Sequence, residues 1–138
     1  MPQLDAHHEV VRRALENDGW TITDDPLVIE YKDLTLYADL GAEQTLGAEK
    51  AGRRIAVEIK VFGSLSATSE LQKAKGQYDL YEFCLRATEP ERKLYLAVAK
   101  AVWNSFFQRP SIHDFVTAQA LSLLIFDAET GEVVQWIR

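Results

Sequence analysis

One eight-residue run, Ile55-Ala56-Val57-Glu58-Ile59-Lys60-Val61-Phe62, is apolar except for a single acid and a single base. A run this short, rich in β-branched residues and entered through Lys50-Ala51-Gly52-Arg53, reads as a strand. Period-two alternation turns Ile55, Val57, Ile59 and Val61 one way and Ala56, Glu58, Lys60 and Phe62 the other. Both faces are then largely apolar, so the strand belongs inside a sheet covered on its two sides. Glu58 and Lys60 project from one face, roughly 7 Å apart along the strand. Taking a carboxylate and an ammonium out of water is costly unless they are paired or bound to something, so the two charges mark a candidate site.

The segments around this strand predict the remaining architecture. Asp5 is placed to cap a helix whose stripe is Leu4, His8, Val11 and Leu15, ending at Asp18-Gly19. Trp20 to Thr23 alternates as a strand, Leu27 to Glu30 forms a second short piece, and Leu34 to Leu40 reads as a strand that brings Asp39 to its end before Gly41. The stretch that follows, with Glu43 and Glu49, reads as a loop or helical turn. Ser66 or Thr68 caps a long helix with a buried stripe of Leu71, Ala74, Tyr78, Tyr81 and Leu85, stopped near Pro90. Leu94 to Ala99 is a buried strand, Ala101 to Gln108 a helix stopped by Pro110, and Ser111 caps another. Leu121 to Phe126 and Val133 to Ile137 close the chain as strands. This order predicts one α/β domain over residues 1–138, a central mixed sheet with helices on both faces.

Composition narrows the function. Hydrophobic residues make up 47% of the 138, enough for a core without staples, and the single cysteine, Cys84, excludes an internal disulfide. His7, His8 and His113 lack zinc spacing, and no apolar run approaches about 18 residues, so a cytoplasmic protein without a membrane span is expected. A net charge of −6 argues against tight unaided DNA binding by phosphate neutralisation alone. Positive charge is nevertheless concentrated near the candidate strand, in Lys50, Arg53, Arg54, Lys60, Lys73 and Lys75.

Phosphodiester hydrolysis requires a metal, carboxylates to hold it, and a cation near the developing charge. Asp39, Glu58 and the backbone carbonyl of Ile59 offer hard oxygen donors suited to Mg2+ or Mn2+, and Lys60 offers the cation. Gln77 and Tyr81 lie four residues apart on one face of the long helix, where Gln77 contacts a phosphate or simply borders a core tyrosine. His8 and Glu49 are the other supporting candidates, their plain readings being a core histidine and a solvated glutamate.

Asp39, Glu58-Ile59-Lys60 and the following helix with Gln77 and Tyr81 resemble the motifs of the PD-(D/E)xK superfamily, with its restriction-endonuclease-like fold; Ala38 stands where that superfamily often has proline. A more specific series is Asp18-Gly19-Trp20-Thr21-Ile22-Thr23, Asp25-Pro26-Leu27, Asp39-Leu40-Gly41-Ala42-Glu43, Ala48-Glu49-Lys50, Ile55 to Lys60, Gly76-Gln77-Tyr78 and Leu94 to Ala97. It resembles the XisH family over nearly the whole chain. That resemblance implies a role in excision of a DNA element, with a site-specific recombinase and a small XisI-like companion as partners. It leaves open a metal-dependent nuclease, a catalytically inactive accessory factor that uses the same scaffold to bind recombinase, DNA or companion, and an antitoxin-like or defence-associated module. The acidic charge suggests that a partner or a homodimer supplies much of the DNA affinity.

Overall fold

The computed structural model describes residues 3–36, 44–62 and 66–137. In chain order the elements are α1 (Gln3–Asn17), β1 (Thr21–Asp24), β2 (Ile29–Tyr31), β3 (Leu34–Leu36), β4 (Gln44–Lys50), β5 (Arg53–Ile59), α2 (Ala67–Thr88), β6 (Lys93–Ala99), α3 (Lys100–Asn104), a 3₁₀ turn (Phe106–Gln108), α4 (Pro110–Ala118), β7 (Leu123–Asp127) and β8 (Glu132–Ile137). Six strands make one mixed sheet in the order β1-β4-β5-β6-β7-β8, and β2 pairs with β3 in a separate hairpin. The central pairs β5/β6 and β6/β7 are parallel and the outer ones antiparallel. No helix among the described residues is long and apolar enough to cross a membrane.

The alternation read in β5 sorts the core into two layers. Ile55, Val57 and Ile59 pack with Val11, Leu15, Trp20, Tyr95 and Phe126 beneath α1. Ala56 and Phe62 pack with Leu71, Tyr78, Tyr81, Leu96 and Phe107 beneath α2, α3 and α4. Both crossover connections therefore cover one face of the sheet and α1 covers the other. The long helix follows its sequence pattern closely: Ser66 caps it by accepting a bond from the Ser69 N–H at 3.1 Å, and Leu71, Ala74, Tyr78, Tyr81, Cys84 and Leu85 form the buried stripe.

Several segments differ from expectation: Ser111, expected to cap, lies inside α4 with Arg109 at the N-cap position, and the expected helix Ala101 to Gln108 is α3 followed by the 3₁₀ turn. Asp5, expected at the helix start, lies within α1, which already runs from Gln3. Residues 44–50, expected as loop, form β4, antiparallel to β5 from Gln44 opposite Ile59 to Lys50 opposite Arg53. The turn between them, Ala51-Gly52, has positive φ at both residues (51° and 80°), the twist that suits a two-residue hairpin. Glycine and alanine weaken the local strand signal of β4, and the pairing with β5 overrides it. Of the expected strand Leu34 to Leu40, the described part, Leu34–Leu36, is β3 and pairs with β2 in the hairpin, while residues 37–40 lie outside the described residues. The hairpin packs on α2, with Tyr31 edge-on to Phe83 at 5.6 Å.

Candidate functional site

Glu58 is the penultimate residue of β5, fully buried on the α2 side, in register with Leu96 of β6 and Thr45 of β4. Lys60 follows the strand end and is 8% exposed. Its Nζ lies 3.5 Å from Glu70 Oε2, in the first turn of α2. Because β5 stops at Ile59 and α2 starts at Ala67, the strand's charged end and the helix N-terminus face each other. Glu70 thus sits where the partial positive charge of the helix end favours an anion, while also meeting the Lys60 ammonium. Sequence reasoning missed Glu70; an acid just inside a serine-capped helix was the available signal.

Tyr81 is buried in the core, and Gln77, one turn nearer the N-terminus of α2, is exposed. Asp39, Ala42 and Glu43 lie outside the described residues, and so does the separation of Asp39 from Glu58. Glu49 is exposed and faces Arg54, four residues along β4 from the Thr45–Glu58 rung, so about 13 Å away along the strand. His8 is held elsewhere: its Nε2 is 2.7 Å from Asp25 Oδ1 and its Nδ1 3.3 Å from Glu9 Oε1, and Arg12 also binds Asp25. Distance along the sheet keeps Glu49 from the Glu58–Lys60 group, and His8 is kept from it by the sheet itself, since α1 covers the face opposite α2.

Among the described residues no three His, Cys, Asp or Glu side chains cluster closely enough to hold a metal. The donors at the end of β5 are oxygens, the Glu58 carboxylate and the Ile59 carbonyl, which fit a hard divalent cation and not a soft one. A full ligand set needs a further carboxylate, the place assigned to Asp39.

A second charged group, also missed from sequence, closes the entry end of β5. The Arg92 side chain is 1% exposed; Nη1 donates to the Ile55 carbonyl at 2.9 Å, Nε to Glu89 Oε1 at 3.2 Å, and Nη2 lies 3.8 Å from Asp24 Oδ2. Arg54 reaches the same Glu89 oxygen at 2.7 Å. A Cβ on Gly47 would stand 2.7 Å from Arg92 Nη1 and 2.6 Å from Asp24 Oδ2, so this glycine makes room for the guanidinium. Nearby, the Tyr78 hydroxyl donates to the Leu94 carbonyl at 3.4 Å and accepts the Ser122 N–H at 3.3 Å, while burial raises its pKa. Burial likewise raises the Cys84 thiol, which packs as a core residue.

The family described as XisH protein matches residues 1–134. Among solved structures, an XisH family protein from Nostoc punctiforme PCC 73102 is 40% identical and superposes with a TM-score of 0.89, covering 97% of this chain and 100% of that one. An fdxN element excision controlling factor protein from Anabaena variabilis is also 40% identical at a TM-score of 0.89, covering 97% of this chain and 99% of that one. No curated protein matches. With the family match spanning almost every residue and the six-stranded mixed sheet shared with these structures, the chain belongs to the XisH family.

Proposed function

We propose that this protein acts on DNA during programmed excision of a genomic element, hydrolysing phosphodiester bonds at a Mg2+- or Mn2+-dependent site built on Glu58 and Lys60. The observation that carries the reading is the fully buried Glu58 beside the nearly buried Lys60, at a strand end that faces the start of α2. The Anabaena variabilis relative, described as an element excision controlling factor, supplies the biological setting. The sequence resemblance to PD-(D/E)xK nucleases supplies the chemistry.

In this reading Glu58, Asp39 and the Ile59 carbonyl hold the metal. When bound, the metal polarises the phosphate and lowers the pKa of a coordinated water. Lys60 places its ammonium against the phosphate oxygens, where charge accumulates as the bond breaks. Glu70 restrains Lys60 at its Nζ, and exposed Gln77 is positioned to meet the nucleic-acid backbone above buried Tyr81. A chain of net charge −6 gains its DNA affinity largely through partners, here an XisI-like companion and a site-specific recombinase.

One observation favours a second reading. The Lys60–Glu70 pair partly neutralises the cation, as suits an accessory factor that keeps the scaffold and does not cut. The two part in one experiment: purified protein, alone and with its companion, is incubated with single-stranded, duplex and branched DNA in Mg2+ or Mn2+. Cleavage lost in Lys60→Ala and Glu58→Gln supports hydrolysis. Absence of cleavage on every substrate, with element excision in cells intact for Asp39→Ala, sinks it in favour of the accessory role.

A further inference from the structure

The outer face of α2 carries a second apolar stripe that the fold leaves largely exposed, the hairpin touching it at Phe83. Leu80 is 41% and Phe83 58% exposed, and Gly76 and Ala87 on the same line are also exposed. A Cβ added at Gly76 would meet nothing within 4 Å among the described residues. The positions 76, 80, 83 and 87 are spaced four, three and four, which is the seam of a short coiled coil of four layers, on the side of the helix away from Leu71, Tyr78 and Leu85. The β2–β3 hairpin borders the seam with Tyr31 against Phe83 and with exposed Leu34 opposite Tyr31.

We infer that this stripe is a homodimer interface in which α2 packs antiparallel against α2 of a second copy, about a twofold axis midway between Leu80 and Phe83. The sequence is self-complementary about that point. Leu80 meets Phe83 of the second copy and Gly76 meets its Ala87, so the large side chains form the centre and the small ones let the helix ends approach. Charge follows the same symmetry. Asp79 and Arg86 flank the seam on one side, one residue before Leu80 and one before Ala87, the positions that oppose each other across an antiparallel pair. Each Asp79 then faces the Arg86 of the other copy, twice per dimer. Both side chains are available for this: Asp79 is 55% and Arg86 76% exposed, each paired within its own helix turn, with Lys75 at 2.6 Å and Glu82 at 3.5 Å. An unrelated partner helix would have no reason to match this internal symmetry. The interface is independent of the reading of Glu58 and Lys60.

The test is analytical ultracentrifugation of the full chain and its charge variants up to about 100 µM, a range that captures micromolar dimers. The wild type is expected to dimerise. Asp79→Arg alone and Arg86→Asp alone each place like charges opposite one another twice, and each should weaken the dimer by about tenfold or more. The double variant D79R/R86D should restore it, and an equimolar mixture of the two single variants should form a heterodimer. Leu80→Glu with Phe83→Glu should be monomeric with an unchanged circular dichroism spectrum. A wild-type monomer throughout the range, or a dimer that both single reversals leave intact, overturns the proposal. Loss of the dimer in the single variants without recovery in the double variant or the mixture also overturns it.

Discussion

Removing Arg92 isolates what one buried cation contributes to the entry end of β5. In Arg92→Ala, the charge-assisted bond to the Ile55 carbonyl is lost, worth about 1.5–3 kcal/mol. The aliphatic stem adds about 1 kcal/mol of lost packing. The carboxylates do not add the full penalty of an orphaned buried charge. Asp24 is 40% exposed and relaxes into water, and Glu89 keeps Arg54 at 2.7 Å. The expected loss is therefore about 3 kcal/mol, below the upper end for a broken buried pair, or a Tm lower by about 10 °C. Urea denaturation followed by circular dichroism, with an unchanged slope, measures it. Arg54→Ala, which removes a 40%-exposed partner of the same Glu89, is the control and should cost about 1 kcal/mol or less. Gly47→Ala completes a double-mutant cycle, since its new Cβ collides with Arg92 Nη1. It should cost about 1 kcal/mol less in the Arg92→Ala background than in the wild type. An Arg92→Ala loss no larger than that of Arg54→Ala, or strictly additive costs in the cycle, would refute the view that this guanidinium fills the space Gly47 leaves.

Other outcomes follow from the same geometry. Ser66→Ala removes the Oγ that accepts the Ser69 N–H and should destabilise the fold by about 1 kcal/mol, with Ser66→Asp largely restoring it in thermal melts. Asp127 accepts the N–H groups of Thr130 and Glu129 and lies near Lys100, which together hold its carboxyl below the usual range. A depressed carboxylate stabilises above its unfolded pKa and loses that contribution as pH falls through the folded one, so Asp127→Asn should flatten the acid limb of a stability–pH curve below about pH 4. His7, half-buried and edge-on to Phe126 at 5.5 Å, has its pKa lowered by burial. Protonation then favours the unfolded chain, so stability should start to decline below about pH 6.5, and His7→Phe should remove that decline.

The parts of the fold legible in sequence are those whose residues carry their own periodicity. The α2 stripe from Leu71 to Leu85 and the two faces of β5 could be read directly, because burial repeats at 3.6 and at 2 residues and the observed core layers keep those repeats. Strand β4 was not legible, since Gly47 and Ala48 have little strand preference and are fixed by Arg92 and by pairing with Ile55 and Ala56. Leu34 and Leu36 alternate correctly but give no hint that their partner is β2 and not the main sheet. The site was half legible for a similar reason. Glu58 and Lys60 announce themselves as charges in an apolar strand, whereas Glu70 and Arg92 matter through contacts with residues 10 and 37 positions away.

The division of the core by the sheet also divides the chain's intrinsic fluorophores. Trp20 and Trp136 lie in the α1 layer, 5.7 Å apart, with Tyr95 4.9 Å from Trp136, while Trp103 packs in the other layer beside Phe107. Replacing Trp103 with phenylalanine leaves tryptophan emission that reports the α1 layer alone, and replacing Trp20 and Trp136 leaves tryptophan emission that reports the α2 layer. The two halves of this protein can therefore be watched separately as it unfolds, without attaching a label to either.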